Sequence, residues 1–248
     1  MKNKKTMSKK TLILTLVVIL LVVPATLILG SRLPGRAYYL TSTLVFIELL
    51  GLFFASFEAR KPQARELVTL AVMAAIAAIA RMVFHFIPHF SPITGIIFIT
   101  GVAFGPQAGF LTGAVAAFAS NLYIGMGPYL PWQMMGYGIA GVVGGFIFFR
   151  RGNLGMKPRT CILVMAFTGY LSIQLLVGPL LDLSGMFTAI STVSWESATA
   201  LLIAGLPVNL IHGGCCFLTI LLFGRPLLNK LERLQIKYGM MEDEDNGI

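Results

Sequence analysis

The chain has 248 residues, of which 56% are hydrophobic and 12% charged, with a formal net charge of +9 and a mean hydropathy of +0.83. These values lie well off the balance of a soluble domain and read as a polytopic membrane protein. The positive charge is spread over four separate segments with no basic face to track phosphates, which excludes a nucleic-acid footprint.

Apolar runs of spanning length fall at about 11–30, 37–57, 65–86, 107–123, 131–149, 160–181 and 198–222. Each approaches the roughly 20 residues that a helix needs to cross the hydrocarbon core. They lack period-2 alternation and are too long for barrel strands, so the expected spanning element is the helix, which satisfies every backbone group internally. The first run is too long for the apolar region of a cleavable leader and no A-x-A site follows it, so it reads as a signal anchor. One further run, 93–104, has only twelve residues, about 18 Å of helix against a core of about 30 Å. It predicts either a short tilted helix or half of a re-entrant hairpin with 107–123, and leaves open whether Gly105 and Pro106 reach the cytoplasmic side.

Sixteen of the nineteen Lys and Arg residues cluster before the first run, between 60 and 65, between 150 and 159, and between 225 and 237. Positive charge is retained on the cytoplasmic side, so this pattern predicts eight helices with both termini in the cytoplasm. Two helices within 1–57 would precede a charged linker at 58–65, a six-helix core at 66–232 and a cytoplasmic tail at 233–248, whose acidic stretch Glu242–Asp245 reads as a solvated end. Texture changes at the linker. The first two runs are rich in Leu, Val, Ile and Phe, the rest in Gly, Ala and Pro. Glu48, central in the second run, is expected to be protonated or hydrogen-bonded to the core.

The run at 65–86 pairs Ala71 with Ala75 and Ala74 with Ala78, the small-xxx-small spacing that lets a second helix approach closely, within the bundle or from another subunit. Arg81, about 7 Å below the outer helix end, either snorkels outward or meets an anionic ligand group. The predicted outer face collects three loops: one with His89, one reading GMGPYLPWQM from Gly125 to Met134, and one from Asp182 to Glu196. An aromatic belt at the interface accounts for Tyr129 and Trp132 singly. Gln133 has no belt role and four hydrogen-bonding positions to satisfy, and Tyr137 follows on the same helical face. Asn209 with His212, and Tyr170 with Gln174, have the i, i+3 and i, i+4 spacings that project two polar groups from one face toward a bundle interior or a cavity.

Enzyme signatures are lacking: there is no G-x-S-x-G, no H-E-x-x-H and no P-loop. His85 and His89 have a metal-pair spacing but Pro88 interrupts them, so no metal or cofactor is expected. A Ser120–His212 dyad of an intramembrane hydrolase and a membrane assembly protein are the competing readings.

The stretches RELVTLAVMAAIAAIAR, GVAFGPQAGFLTG, Ser120–Asn121, GPYLPWQMMGYGIAG and GLPVNLIHG running on to KLERLQIKYG together resemble a substrate-binding S component of an energy-coupling-factor (ECF) vitamin transporter. The resemblance covers about residues 64–238 and implies a six-helix fold that binds a micronutrient near the outer face of a prokaryotic plasma membrane. It implies partners, a transmembrane T subunit and two ATPase subunits, with Ala71, Ala74, Ala75 and Ala78 docking the former. It also implies a pocket drawn from Trp132, Gln133, Tyr137, Tyr170, Gln174, Asn209 and His212, with His89 and Tyr129 above it. Two features depart from the pattern: the additional pair of N-terminal helices, and Asn209 in place of an acidic residue. The resemblance points to a corrinoid or a precursor of one as substrate, while an aromatic-rich pocket with amides would serve riboflavin-like, pantothenate-like or other vitamins equally well.

Overall fold

The computed structural model describes residues 37–58, 63–127, 129–149, 155–188 and 194–240, together with isolated positions between 17 and 29. The helix expected over 11–30, most of the predicted basic clusters at Lys2–Lys10, Arg60–Lys61 and Arg150–Arg151, and the acidic tail lie outside these residues. The described chain forms helices α1 (Ala37–Glu58), α2 (Ala64–Val83), α3 (Ile93–Phe104), α4 (Pro106–Ile124), α5 (Leu130–Phe148) and α6 (Pro158–Ser172). A π-helical turn (Ile173–Val177), α7 (Gly178–Thr188) and α8 (Trp195–Lys237) complete it, with no strand among the described residues. By length and composition, Ala64–Val83, Pro158–Gly185 and Trp195–Lys237 are long and apolar enough to cross a membrane. The architecture is that of an all-helical membrane protein.

The short run is the centre of the bundle. Every residue of α3 except Ala103 is buried, and the helix is enclosed by α2, α4, α5 and α8. Twelve residues suffice because this helix has neighbours on all sides and needs no lipid-facing length. Its close packing rests on glycine: a Cβ on Gly101 would collide with the carbonyl of Gly141, and one on Gly109 would lie 2.6 Å from the same oxygen. The smooth face of α5 is therefore used within the chain, where association in lipid depends on such close backbone approach. At Gly105 the backbone turns sharply with φ 96°, and Phe149 at the end of α5 covers the turn.

Two helices run on past their apolar stretches. In α8, 43 residues give about 65 Å of helix, over twice the hydrocarbon thickness. A capping box between Ser194 and Ser197 starts it three residues before the predicted apolar run. It passes through Pro207 and Pro226 and carries Arg225, Lys230, Arg233 and Lys237 on its final turns. Likewise α6, the π turn and α7 continue without a break to Thr188, so Asp182 stands in a helix and not in the predicted outer loop.

One end of the bundle is basic. There Arg65 donates to the carbonyl of Tyr238 at 3.1 Å and lies over its ring, and Gln235 donates to the carbonyl of Ala103 at 2.8 Å. The α3–α4 turn therefore reaches the same end as the basic tail of α8, which resolves the position of Gly105 and Pro106 relative to the rest. Helix α1 lies against α4 and α5, with Phe53 stacked on Phe110 at 3.7 Å between ring centres and with Leu50 and Phe57 buried. Among the described residues Glu48 is bonded not to the core but to Thr26, which donates to its Oε1 at 2.6 Å.

Candidate functional site

At the end opposite Arg65 and Tyr238, polar side chains from α2, α3, α4, α5, α7, α8 and the π turn point into the bundle. Arg81 on the last turn of α2 donates from Nη1 to Ser120 Oγ at 2.7 Å and from Nη2 to Gln133 Oε1 at 3.3 Å. Asn121 donates from Nδ2 to the same Gln133 oxygen at 2.7 Å and to the carbonyl of Ala117 at 2.8 Å. Ser120 and Asn121 are completely buried. Unbonded polar groups at such depth cost about 1–3 kcal/mol each, so the shared Gln133 oxygen holds α2, α4 and α5 in register.

A second set lies across Tyr137. The Arg81 guanidinium is 5.4 Å from the centre of the Tyr137 ring, and that ring meets His212 edge-on at 5.9 Å. His212 Nε2 is 3.3 Å from Thr94 Oγ1. Three residues earlier on α8, Asn209 donates from Nδ2 to Asp182 Oδ2 at 2.7 Å, and its backbone carbonyl accepts from Gln174 Nε2 at 2.7 Å. Gln174 belongs to the π turn, whose extra residue re-aims side chains relative to a regular α-helix. Gly205 lies directly against the Asp182 carboxylate, where any side chain would collide.

The site is thus two polar groups joined by an aromatic ring, with an arginine at one pole and a carboxylate at the other. It has the composition of a ligand pocket wall, apolar and aromatic with a few fixed polar groups. No cluster of three or more His, Cys, Asp or Glu that could hold a metal occurs among the described residues.

A family model described as "ECF-type riboflavin transporter, S component" matches residues 61–233. This chain belongs to that family. By its description that family is one of transporter components. Its similar relatives include a UPF0397 protein of Vibrio atlanticus (strain LGP32), 30% identical over 117 residues, which are 43% of this chain and 64% of the relative. A UPF0397 protein of Aliivibrio salmonicida (strain LFI1238) is 30% identical over 43% of this chain and 63% of its own length. Another, of Aliivibrio fischeri (strain MJ11), is 31% identical over the same shares. The chain spans just under two thirds of the length of these relatives. No solved structure matches.

Of the residues singled out in the S component's sequence, the structure brings Gln133, Tyr137, Gln174, Asn209 and His212 into this site. Tyr170 stands beside them, its ring 3.0 Å from where a Cβ on Gly213 would be. Trp132 is 5% exposed and so buried in the bundle, where an interfacial belt residue would face lipid. Tyr129 instead closes the preceding turn, donating to the carbonyl of Gly125 at 2.8 Å. His89 is exposed with φ 62° in the α2–α3 loop.

Five residues here were not assigned to the pocket by sequence: Thr94, Ser120, Asn121, Asp182 and Arg81, the last given either as snorkelling outward or as meeting an anionic ligand group. Arg81 does not snorkel outward but turns in to Ser120 and Gln133. Asp182 had the one available signal, a carboxylate that ends an apolar run without ending its helix. Ser120 and His212 are engaged with separate partners, Arg81 and Ala117 for the first and Thr94 for the second, which is not the geometry of a nucleophile and its base. The four docking alanines divide: Ala74 and Ala78 are 2% and 3% exposed, inside the bundle, while Ala71 and Ala75 are on the surface. Ala74 and Ala78 are therefore corrected to packing positions within the bundle, since the spacing i, i+4 places 71 and 75 on one stripe and 74 and 78 on its buried neighbour.

Proposed function

We propose that this chain is the substrate-binding subunit of an ECF-type importer and that it captures a flavin-type vitamin at the outer face of a prokaryotic plasma membrane. The observation that carries this reading is the buried polar seam from Arg81 through Tyr137 to Asp182, at the end of the bundle away from the basic residues, in a chain of the riboflavin-transporter S component family. Positive charge is retained inside, so the seam opens outward. A planar aromatic ligand with polar groups at both ends matches a wall that is aromatic in the middle and polar at both poles.

Delivery to the cytoplasm falls to partners, a transmembrane T subunit and two ATPase subunits, because the chain carries no P-loop of its own. The stripe of Ala71 and Ala75, flanked by exposed Val68, Val72 and Ile79, is the surface proposed to meet the T subunit. The N-terminal helices form an addition to the six-helix core, which begins near residue 64.

The direct test is titration of riboflavin into the detergent-purified chain, with flavin fluorescence as the signal. Saturable quenching at one ligand per chain is expected. Absence of quenching, together with a co-purifying vitamin of another type such as a corrinoid identified by mass spectrometry, would replace the flavin and retain the transport subunit.

A further inference from the structure

We propose that the last turns of α8 lie on the cytoplasmic leaflet of the membrane and bind the headgroups of anionic phospholipids through Lys230, Arg233 and Lys237. The surface is at the basic end of the bundle and is independent of whatever the opposite end takes.

The path of α8 sets these residues at a membrane surface. Gly224 packs on Ile162, with a Cβ there 3.6 Å from Ile162 Cδ1, one turn from the start of α6 at Pro158. The helix from 224 to 237 adds about 20 Å beyond that level. It does not leave the bundle: Leu231 and Gln235 are buried, Gln235 donates to the Ala103 carbonyl, and the Tyr238 carbonyl accepts from Arg65 in the first turn of α2. From its contact with Gly95 to its contact with Ala103, α8 advances from Thr219 to Gln235, about 24 Å, while α3 advances about 12 Å. The end of α8 therefore crosses the basic end obliquely instead of projecting away from it.

The outer side of this segment is a continuous exposed stripe. Leu222, Pro226, Lys230, Arg233 and Lys237 follow at spacings of four, four, three and four, and all five are exposed. Leu222 is 63% exposed and Phe223 beside it 55%, the face that a spanning helix turns to acyl chains, and two turns further on the stripe becomes basic. These cations are not neutralised within the helix. Glu232, the one carboxylate of these turns, has Leu228, Asn229, Gln235 and Ile236 three and four positions away, none of them basic.

Ile236, 75% exposed among the basic residues, decides between occupants. The acidic segment Glu242–Asp245 offers carboxylates to the stripe but nothing apolar. A bilayer surface offers phosphates to the lysines and arginine, and acyl chains to Ile236, Leu222 and Phe223. Basic segments next to a spanning helix also meet the negative potential of the cytoplasmic leaflet, the side on which positive charge is retained.

The test uses the full purified chain in detergent, mixed with dioleoylphosphatidylglycerol or dioleoylphosphatidylcholine, with bound lipid counted by native mass spectrometry at low and high salt. Phosphatidylglycerol is expected to bind at least about tenfold more tightly, and high salt to remove most of that preference. The triple variant Lys230→Gln, Arg233→Gln, Lys237→Gln is expected to lose the preference with its Tm unchanged. Lys4→Gln, Lys5→Gln, Lys9→Gln, which removes the same charge elsewhere, is expected to keep it. Preference retained by the first variant, or lost equally in both, overturns the proposal. A wild type that shows no preference until Glu242→Gln, Asp243→Asn, Glu244→Gln and Asp245→Asn are introduced assigns the stripe to the acidic tail and overturns it too. No preference in either form does the same. The wild-type lipid and salt comparison needs no altered protein, and Arg233→Gln alone serves if the triple variant does not fold.

Discussion

Among the described residues, the bonds at the basic end run mainly from side chains to backbone carbonyls, Gln235 to Ala103 and Arg65 to Tyr238, with Thr69 on the Met240 sulfur a longer side-chain pair at 4.0 Å, whereas around Gln133 and Asp182 they run mostly between side chains. A backbone acceptor keeps its place as long as its helix does, so the basic end behaves as a fixed clamp. Side-chain pairs can exchange partners when a ligand offers better ones, at the cost of a rotamer change and not of a helix shift. The contrast makes the end around Gln133 and Asp182 the one whose polar contacts can rearrange without moving a helix.

The largest effect is expected where both ends depend on the same contact, at the meeting of Gly101, Gly109 and Gly141. Gly141→Leu forces a side chain into the backbone of α4 at Gly109, and a destabilisation of at least about 3 kcal/mol is expected, enough to prevent isolation of a monodisperse protein. Size-exclusion chromatography in detergent checks it. A well-behaved Gly141→Leu protein would mean that α5 has freedom to move away and that the bundle is looser than its contacts.

Next comes Gln133→Leu, which removes the acceptor shared by Arg81 and Asn121. Buried donors left unpaired cost about 1–3 kcal/mol, and the ligand-facing geometry of Arg81 is lost with them, so about 100-fold weaker ligand binding is expected. Unlike Gly141→Leu, the Gln133→Leu protein is expected to be isolable in detergent, so its ligand titration can be read directly.

How much of this was legible in the sequence depended on whether a residue's role was local. The spacing of Asn209 and His212 on one helix, and of Gln133 and Tyr137 on another, needs only helix geometry, and both pairs converge in the structure. Arg81 and Asn121 needed knowledge of a third helix, because their common partner Gln133 lies on α5. Asp182 was misplaced into a loop for a related reason: an apolar run ends at a carboxylate, but the helix continues when another helix supplies the partner, here Asn209. The length of α8 escaped in the same way. Its final turns are too charged to count as apolar, yet they remain helical, with Gln235 and Tyr238 docked on the rest of the chain.

The two stripes of α2 sharpen the comparison along a single helix. Ala78→Leu enlarges a buried side chain and is expected to cost about 1–3 kcal/mol of fold stability, seen as a lower Tm. Ala75→Leu projects from the surface, so its effect on the isolated chain should stay within about 0.5 kcal/mol. Its effect on co-purification with a T subunit should be severe if this stripe is the docking surface. Normal complex formation by Ala75→Leu would move that surface elsewhere.

The smallest effect is expected at the clamp itself. Gln235→Ala removes one hydrogen bond to the Ala103 carbonyl, at the turn that leads from α3 into α4, and a loss of about 1 kcal/mol is expected in the unfolding free energy. Ligand affinity should not change, because Arg81, Gln133 and Asp182 share no partner with Gln235 and distant sites with no common partner add independently. Titrating ligand into Gln235→Ala therefore separates two pictures of the bundle. Unchanged affinity leaves the clamp a local fastening. A shift of tenfold or more would mean that α3, which carries Thr94 beside His212 in its first turn and ends at the turn held by Gln235, moves as one rigid piece and carries the state of the basic end to the ligand.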